Sequence, residues 1–341
     1  MSRSMKITAA FSLLCAALPA MAASAPISAS TYRTEPVIAL PDGRWDLVSF
    51  DTLRGRVIVA RGDSISVVEV NPVVVRSIGT IAHGHAAVAI PGTSLIAITS
   101  GQDNTLRLLN ADDGHETARI TVGQNPDAAI WDPVSARLLV MNAKGGSISI
   151  VDPVAARVIR TISVKPALEL AAMVGPNLLA INDEDANELE LVDLAHGKVL
   201  RPITLTGCAG PTGLAFDSGT GLALSACANG KAALIDVRTR KLLRLLPIGA
   251  GPDTVLYDGR RHRFLVPCGK TGTLSVFAVG RRGTVIALAT VPTELGARTG
   301  ALDEATGRVY LPTARFQPTE PGKRPELIPG SVHLVVLSPV P

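Results

Sequence analysis

A unit of about 42 residues recurs seven times along the chain, and this repeat constrains the fold more than any other feature. Each unit contains four short apolar segments separated by turns rich in Gly, Asn and Asp. Segments 124–132 and 250–258 align directly, and the units start near residues 45, 83, 124, 165, 208, 250 and 295. The first positions of the inner segments are spaced by 39, 42, 42, 43, 41 and 45 residues; they are Asp46, His85, Asp127, Glu169, Thr212, Asp253 and Arg298.

A repeat of about 42 residues with four strand-like segments in each unit predicts a β-propeller. In this fold every blade buries its faces against its neighbours. We therefore predict an all-β, seven-bladed propeller of four-stranded antiparallel blades. The last unit lacks a fourth strand after residues 331–337, and residues 36–40 are predicted to supply it and close the ring. Six blades plus a separate cap is the alternative. The composition, 47% hydrophobic but 3% aromatic, fits short aliphatic strands.

Residues 1–22 have the pattern of a secretory signal peptide. Basic Arg3 and Lys6 precede the apolar run 7–17, and Ala20 and Ala22 form a small-x-small cleavage site. Residues 23–341 then form one propeller domain, secreted or periplasmic. No later apolar run reaches the roughly 18 residues of a membrane span. Loss of the two basic residues lowers the formal charge from +4 to +2, so no strong field for nucleic acid or anionic lipid is expected.

Three cysteines remain after cleavage, in a compartment where a disulfide can persist. Cys208 lies just before the inner strand of its unit, and Cys227 ends the adjacent antiparallel strand. This placement favours a Cys208–Cys227 disulfide, with Cys227–Cys268 across neighbouring blades as the rival. In the first case Cys268 is a free thiol, most simply a buried core residue.

The start of each inner strand and the end of the next strand lie on the same face of such a disc, so these positions gather at one mouth of the central channel. We expect this mouth to bind a ligand, because concave sites with a few convergent polar groups are the usual binding sites. The alternative is that Asp and Asn here cap strand turns by bonding to backbone N–H groups. The predicted ligand-binding residues are Asp46, Arg61, His85, Asp127, Asn142, Glu169, Asn182, Asp253 and Arg298.

Part of this set is rich in oxygen donors. Asp127, Asn142, Glu169 and Asn182 form a candidate site for Ca²⁺ or another divalent cation. Propeller lactonases of the gluconolactonase type use comparable residue types, with the metal polarising the ester carbonyl. His83 and His85 alternate on one strand and are a second, weaker candidate for a transition metal.

The second strands end in Leu139-Val-Met-Asn142 and Leu179-Ala-Ile-Asn182, which resemble degenerate Tyr-Val-Thr-Asn elements of the YVTN repeat. Segments 123–127, 208–217 and 296–303 also resemble secreted bacterial YncE-like propellers. The resemblance covers nearly the whole mature chain. It implies a binding propeller, with single-stranded DNA suggested as the ligand of some such proteins.

The sequence thus favours a monomeric, non-enzymatic protein that binds a small molecule, a cation or a protein partner at the channel mouth. A divalent-metal-dependent, lactonase-like hydrolase is the alternative function. Single-stranded DNA binding is the second alternative, through basic turns that include Arg260, Arg261 and Arg263 on the opposite face. The Pro-rich segment 316–330 is expected on the mouth face, as a lid or as a stiff surface loop.

Overall fold

The computed structural model describes Met1, residues 31–318 and residues 326–340, and it is all-β over these residues. The predicted signal segment, Met1 apart, lies outside them. Within the described ranges, no helix is long and apolar enough to cross a membrane.

Twenty-nine strands follow one another along the described chain. The first strand, which precedes the blades, is β1 (Tyr32–Ala39). Blade 1 contains β2 (Trp45–Asp51), β3 (Arg56–Arg61), β4 (Ile65–Val70) and β5 (Val73–Ile78). Blade 2 contains β6 (Gly84–Ala89), β7 (Leu95–Ser100), β8 (Thr105–Asn110) and β9 (Glu116–Thr121). Blade 3 contains β10 (Pro126–Asp132), β11 (Arg137–Asn142), β12 (Ser147–Asp152) and β13 (Arg157–Ser163).

The remaining strands follow the same order. Blade 4 contains β14 (Leu168–Gly175), β15 (Leu178–Asp183), β16 (Glu188–Asp193) and an outer strand split into β17 (Lys198–Val199) and β18 (Ile203–Thr204). Blade 5 contains β19 (Pro211–Asp217), β20 (Leu222–Cys227), β21 (Lys231–Asp236) and β22 (Lys241–Pro247). Blade 6 contains β23 (Leu256–Asp258), β24 (Arg263–Cys268), β25 (Thr273–Val279) and β26 (Val285–Pro292). Blade 7 contains β27 (Ala301–Asp303), β28 (Arg308–Thr313) and β29 (His333–Pro339).

The ring closes through β1, which pairs antiparallel with β29 and is the fourth strand of blade 7. This confirms the predicted closure and the seven-bladed fold, rather than six blades and a cap. The closing strand begins four residues before the predicted segment 36–40. It begins there because Tyr32, only 1% exposed, packs into the core that includes Val309 and Leu337.

The core lies between blades rather than within them. One buried cluster joins Leu224 of blade 5 to Phe264 and Phe277 of blade 6, and comparable aliphatic clusters join the other blades. The second strand of a blade has neighbours on both faces, so β3 and β20 are buried throughout. Small aliphatic side chains fill these interfaces, which accounts for the low aromatic content.

Antiparallel register places the predicted site residues at one face of the disc, which we call the mouth face. Trp45 pairs with Arg61, and Pro126 pairs with Asn142, so the start of the inner strand meets the end of the second strand. The turns between first and second strands, and between third and fourth strands, lie on the opposite face. These turns carry the basic residues of blades 5 and 6.

Candidate functional site at the channel mouth

Backbone irregularities occur where the mouth residues lie. The ladder between the first two strands shifts register around Asp46, His85, Asp127, Glu169 and Thr212 in blades 1 to 5. In blades 6 and 7, Asp253 and Arg298 precede the regular inner strands. Bulges and strand ends re-aim side chains next to functional sites, because the residue there is released from the alternation of the pleat. The repeat therefore places a non-ladder residue at the mouth in every blade.

Three of these residues are in direct contact. The Nδ1 atom of His85 lies 2.8 Å from Asp46 Oδ2 and 3.0 Å from Asp127 Oδ1. Burial alone would lower the pKa of His85, but the hydrogen bond with Asp46 and the charge of Asp127 outweigh it and raise the pKa. The buried Nε2 atom has no hydrogen-bond partner among the residues that the structure describes, and it faces Gly101, where a Cβ atom would lie 2.6 Å away. Glycine is therefore needed beside the ring.

Three carboxyl groups of the mouth, those of Glu169, Asp253 and Asp127, have raised pKa values. Burial and the negative charges of Asp127, Asp253, Glu184 and Asp46 raise the pKa of Glu169 to about 9. Burial also raises the pKa of Asp253 to about 6, although Arg298 Nε lies 2.8 Å from its Oδ2 and opposes the shift. The pKa of Asp127 is raised by burial too. The mouth thus has more carboxyl groups than its own cations can neutralise.

Three other predicted residues, Arg61, Asn142 and Asn182, lie within the blades. Arg61 is 2% exposed, and its Nη2 atom donates to the Pro41 carbonyl at 2.7 Å. The Asn142 amide donates to the hydroxyls of Ser147 and Ser149 in its own blade. Arg61 Nη1 and Asn142 Oδ1 are also buried, and neither atom has a hydrogen-bond partner among the described residues.

Asn182 joins two blades. Its amide nitrogen donates to the carbonyls of Thr212 and Gly213, at 2.9 and 3.0 Å, and its oxygen accepts from Ser225 Oγ at 2.8 Å. It is fully buried. The amide therefore ties blade 4 to the inner strands of blade 5.

The structure divides the candidate metal ligands between the mouth and the interior of the blades. These ligands are Asp127, Asn142, Glu169 and Asn182. The two carboxyl groups lie at the mouth, and the two amides lie within the blades. Over residues 31–318 and 326–340, no group of three His, Cys, Asp or Glu residues has an arrangement that could hold a metal ion. Metal binding by this set stays a prediction.

A narrow cavity of about 140 Å³ lies in the channel directly beneath the mouth residues. Its lining residues come one to three positions after the mouth residues in the sequence, on the inner strands of six blades. We call this cavity the throat. It is lined by Leu47, Val48, Ser49, Ala86, Ala87, Val88, Ala128, Ala129, Ile130, Leu170, Ala171, Thr254, Val255, Leu256 and Gly300. The lining side chains are therefore mostly apolar, and Ser49 and Thr254 are polar.

Two residues of this site were not in the predicted set. Glu184, just after β15, adds negative charge that acts on Asp127, Glu169 and Asp253. Thr254 lines the throat next to Asp253 and is 4% exposed, and its hydroxyl has no hydrogen-bond partner within the described part of the chain. The repeat could have identified both residues, because each lies one or two positions after a predicted site residue in the sequence.

The predicted disulfide is present. Cys208 and Cys227 are bonded, with their Cα atoms 5.4 Å apart, and Cys268 is a buried free thiol. Burial raises the pKa of Cys268. The disulfide holds the loop before β19 against the end of β20, on the mouth face.

The Pro-rich segment is described in part, since residues 319–325 lie outside the described ranges. Phe316 and Leu327 form an isolated β-bridge, and the Gly330 amide donates to the Asp42 carboxylate. Phe316 lies against Gly296, close to Arg298 in the chain. The described ends of this segment therefore lie on the mouth face.

The comparisons with known proteins support the fold. No protein-family model and no curated protein matches the chain. A chain in a crystal structure of the mitotic checkpoint complex is similar in fold, with a TM-score of 0.72, 14% identity, and coverage of 96% of this chain and 98% of that chain. A chain of Kuenenia stuttgartiensis hydrazine synthase gives a TM-score of 0.66 at 13% identity, covering 77% and 91%. At such identities the similarity shows a β-propeller and no shared activity.

Proposed function

We propose that this chain is a ligand-binding propeller whose binding site is the channel mouth. The proposal rests on one observation: Asp46, Asp127, Glu169 and Asp253 gather around the channel with His85 and Arg298, all at positions outside the regular strand ladders. A propeller uses its rigid blades to hold such residues in place, and a rigid site binds at a low entropic cost.

Aspartates that cap turns behave differently in this chain. Asp132, Asp217 and Asp258, at the ends of inner strands on the opposite face, each accept a backbone N–H from the following turn. No backbone N–H among the described residues donates to the carboxyl groups of Asp46, Asp127, Glu169 or Asp253. Turn capping therefore explains the aspartates of the opposite face. It does not explain the carboxyl groups of the mouth, which are available to bind a ligand.

A thermal-shift screen of small molecules and cations tests the proposal. Each compound that raises the melting temperature is measured again with an Asp127→Asn, Asp253→Asn double variant and with Asp185→Asn, an exposed acidic residue of the mouth face outside the site. We expect binding to be lost in the double variant and kept in Asp185→Asn. Binding that survives the double variant places the ligand elsewhere and contradicts the proposal. Ca²⁺ and lactones belong in the screen, because they test the divalent-cation and hydrolase alternatives.

We further propose that the chain functions outside the cytoplasm, as a secreted YncE-like propeller. The Cys208–Cys227 disulfide supports this proposal, because structural disulfides persist in oxidising compartments. Mass spectrometry of the chain expressed in a bacterium that exports it should find a mature protein that begins at Ala23. A cytoplasmic chain that retains residues 1–22 contradicts the proposal.

A further inference from the structure

The throat limits what the mouth can bind. It begins one residue beneath the carboxyl groups, and its walls include Leu47, Ala87, Ala129, Leu170 and Val255. Such walls offer a hydrated ion or a sugar few hydrogen bonds, and they favour hydrocarbon. A ligand that occupies both the mouth and the throat therefore has a charged or polar end at the mouth and an apolar end in the throat.

The volume of the throat sets the size of the apolar end. A cavity of about 140 Å³ is comparable to engineered apolar cavities of roughly 150 Å³ that hold benzene, a molecule of six carbons. A linear chain of about four to six carbons is therefore the apolar group that the throat accommodates.

The charges of the mouth determine whether the ligand group that lies there is positive or negative. Glu169 holds its proton at neutral pH, and the other three carboxyl groups, those of Asp46, Asp127 and Asp253, face one imidazole ring and one guanidinium. His85 contacts two of these carboxyl groups, and Arg298 contacts a third. A ligand cation adds the missing positive charge. An ammonium group also supplies three N–H donors, which carboxylates accept in short, charge-assisted hydrogen bonds.

Thr254 provides an observation independent of the acidic cluster. Its side chain is 4% exposed and lines the throat directly below Asp253, but its hydroxyl makes no hydrogen bond among the described residues. Buried hydroxyl groups are nearly always paired, because burial without a partner costs free energy. The hydroxyl oxygen itself is closed to solvent, so the side chain has to rotate before a ligand N–H at the boundary between mouth and throat becomes its partner.

We infer that the mouth and throat together bind a primary aliphatic ammonium ion, with the ammonium among the carboxyl groups and the hydrocarbon chain in the throat. This inference rests on the proposed function and names the chemical class of its ligand. The same group occurs in free aliphatic amines and in lysine side chains, so both sources are compared in the test.

Isothermal titration of the full chain with n-alkylammonium chlorides, from methyl to octyl, tests the inference. We expect affinity to rise about fourfold for each added methylene and to stop rising at about six carbons, where the throat is full. 1-Pentanol, which has the chain without the charge, should bind far more weakly than n-pentylammonium. Nα-acetyl-lysine methylamide and a lysine-containing unstructured peptide identify the source: tighter binding of the peptide than of free amines indicates a protein ligand.

Two variants locate the binding. Asp127→Asn removes one carboxylate and should weaken n-pentylammonium binding by about tenfold or more, whereas the matched change Asp185→Asn should leave it unchanged. Thr254→Val keeps the shape of the side chain and removes only its hydroxyl. It should weaken n-pentylammonium binding by about tenfold without lowering the melting temperature, since a merely structural hydroxyl would not affect amine affinity selectively.

The outcomes separate this inference from the proposed function. Affinity that does not increase from methyl- to pentylammonium overturns the inference, since the throat is then not used. If no amine binds but another compound from the screen binds in a way that depends on Asp127 and Asp253, the inference is wrong and the proposed function holds. If no compound shows such dependence, both are wrong.

Discussion

Glu169 leads to a prediction about the pH dependence of stability. Its pKa is about 9 in the folded protein against 4.5 for a free side chain, because it is buried and faces Asp127 on β10, Asp253 before β23, Asp46 on β2 and Glu184 after β15. Between these pH values the folded state holds a proton that the unfolded state has lost. The free energy of unfolding therefore falls as the pH rises through this range.

Glu169→Gln removes the titrating group. We expect urea denaturation at about pH 5, 7 and 9 to show a steep loss of stability in the wild-type protein and a flatter profile in the variant. His85, whose pKa is also raised, loses its stabilising contribution in the same direction, so the comparison with wild type isolates Glu169. Glu326→Gln, at an exposed position, is the control and should keep the wild-type profile. Identical profiles for Glu169→Gln and wild type would mean that Glu169 ionises normally.

Asn182 leads to a second prediction for a single residue. Asn182→Ala removes two donated hydrogen bonds and one accepted bond, and it leaves buried carbonyls of blade 5 without partners. We expect a loss of roughly 3 kcal/mol in the free energy of unfolding, measured by chemical denaturation. Asn229→Ala is the matched control, because Asn229 also bonds to backbone groups but is exposed to water. Equal losses in the two variants would show that burial of the Asn182 amide is not important.

At the scale of strands, the repeat predicts the elements well. Strand positions, the closing strand and the disulfide follow from a regular period, because every blade must present the same faces to its neighbours. The positions of side chains relative to the channel are less predictable. Asn142 and Asp127 belong to adjacent strands of one blade, yet the amide bonds within the blade and the carboxyl group lies at the mouth. That difference depends on local bulges and on packing between blades, which a period in the sequence does not specify.

The disulfide of blade 5 gives a prediction for one element. It closes a loop with a sequence separation of 19 residues, and restricting the unfolded chain in this way stabilises the folded state by roughly 3 kcal/mol. We expect a Cys208→Ser, Cys227→Ser double variant, or wild type in reductant, to unfold at lower urea concentration. In Cys268→Ala the effect of reductant should remain, since that thiol is unpaired. A midpoint that does not respond to reductant would contradict the prediction.

At the scale of the whole molecule, the two faces of the disc differ. The mouth face carries the carboxyl groups and the disulfide, and the turns of blades 5 and 6 on the opposite face carry exposed basic residues such as Arg240, Arg260 and Arg282. A cation that approaches the mouth face meets negative potential locally, which favours its capture there.

Closure of the ring by β1 gives the last prediction. Tyr32→Ala removes a side chain that is 1% exposed and packs in the core between blades 6 and 7. We expect a loss of about 3 to 5 kcal/mol in the free energy of unfolding, measured by urea denaturation. Because Arg298 and Asp46 come from the two blades on either side of the closure, ligand binding at the mouth should weaken in the same variant. Hydrogen exchange should become faster in blades 6 and 7 before it changes in blade 3, since Tyr32 packs between blades 6 and 7 and each blade contacts only its neighbours.

Val37→Ala on the same strand is the control. Val37 is 52% exposed, so its removal should change stability by less than about 0.5 kcal/mol and leave hydrogen exchange as it is in wild type. If Tyr32→Ala costs no more than Val37→Ala, β1 covers an edge without closing the ring. If Tyr32→Ala destabilises all blades equally, the seven blades unfold as one cooperative unit, and closure is then a property of the whole disc rather than of blade 7.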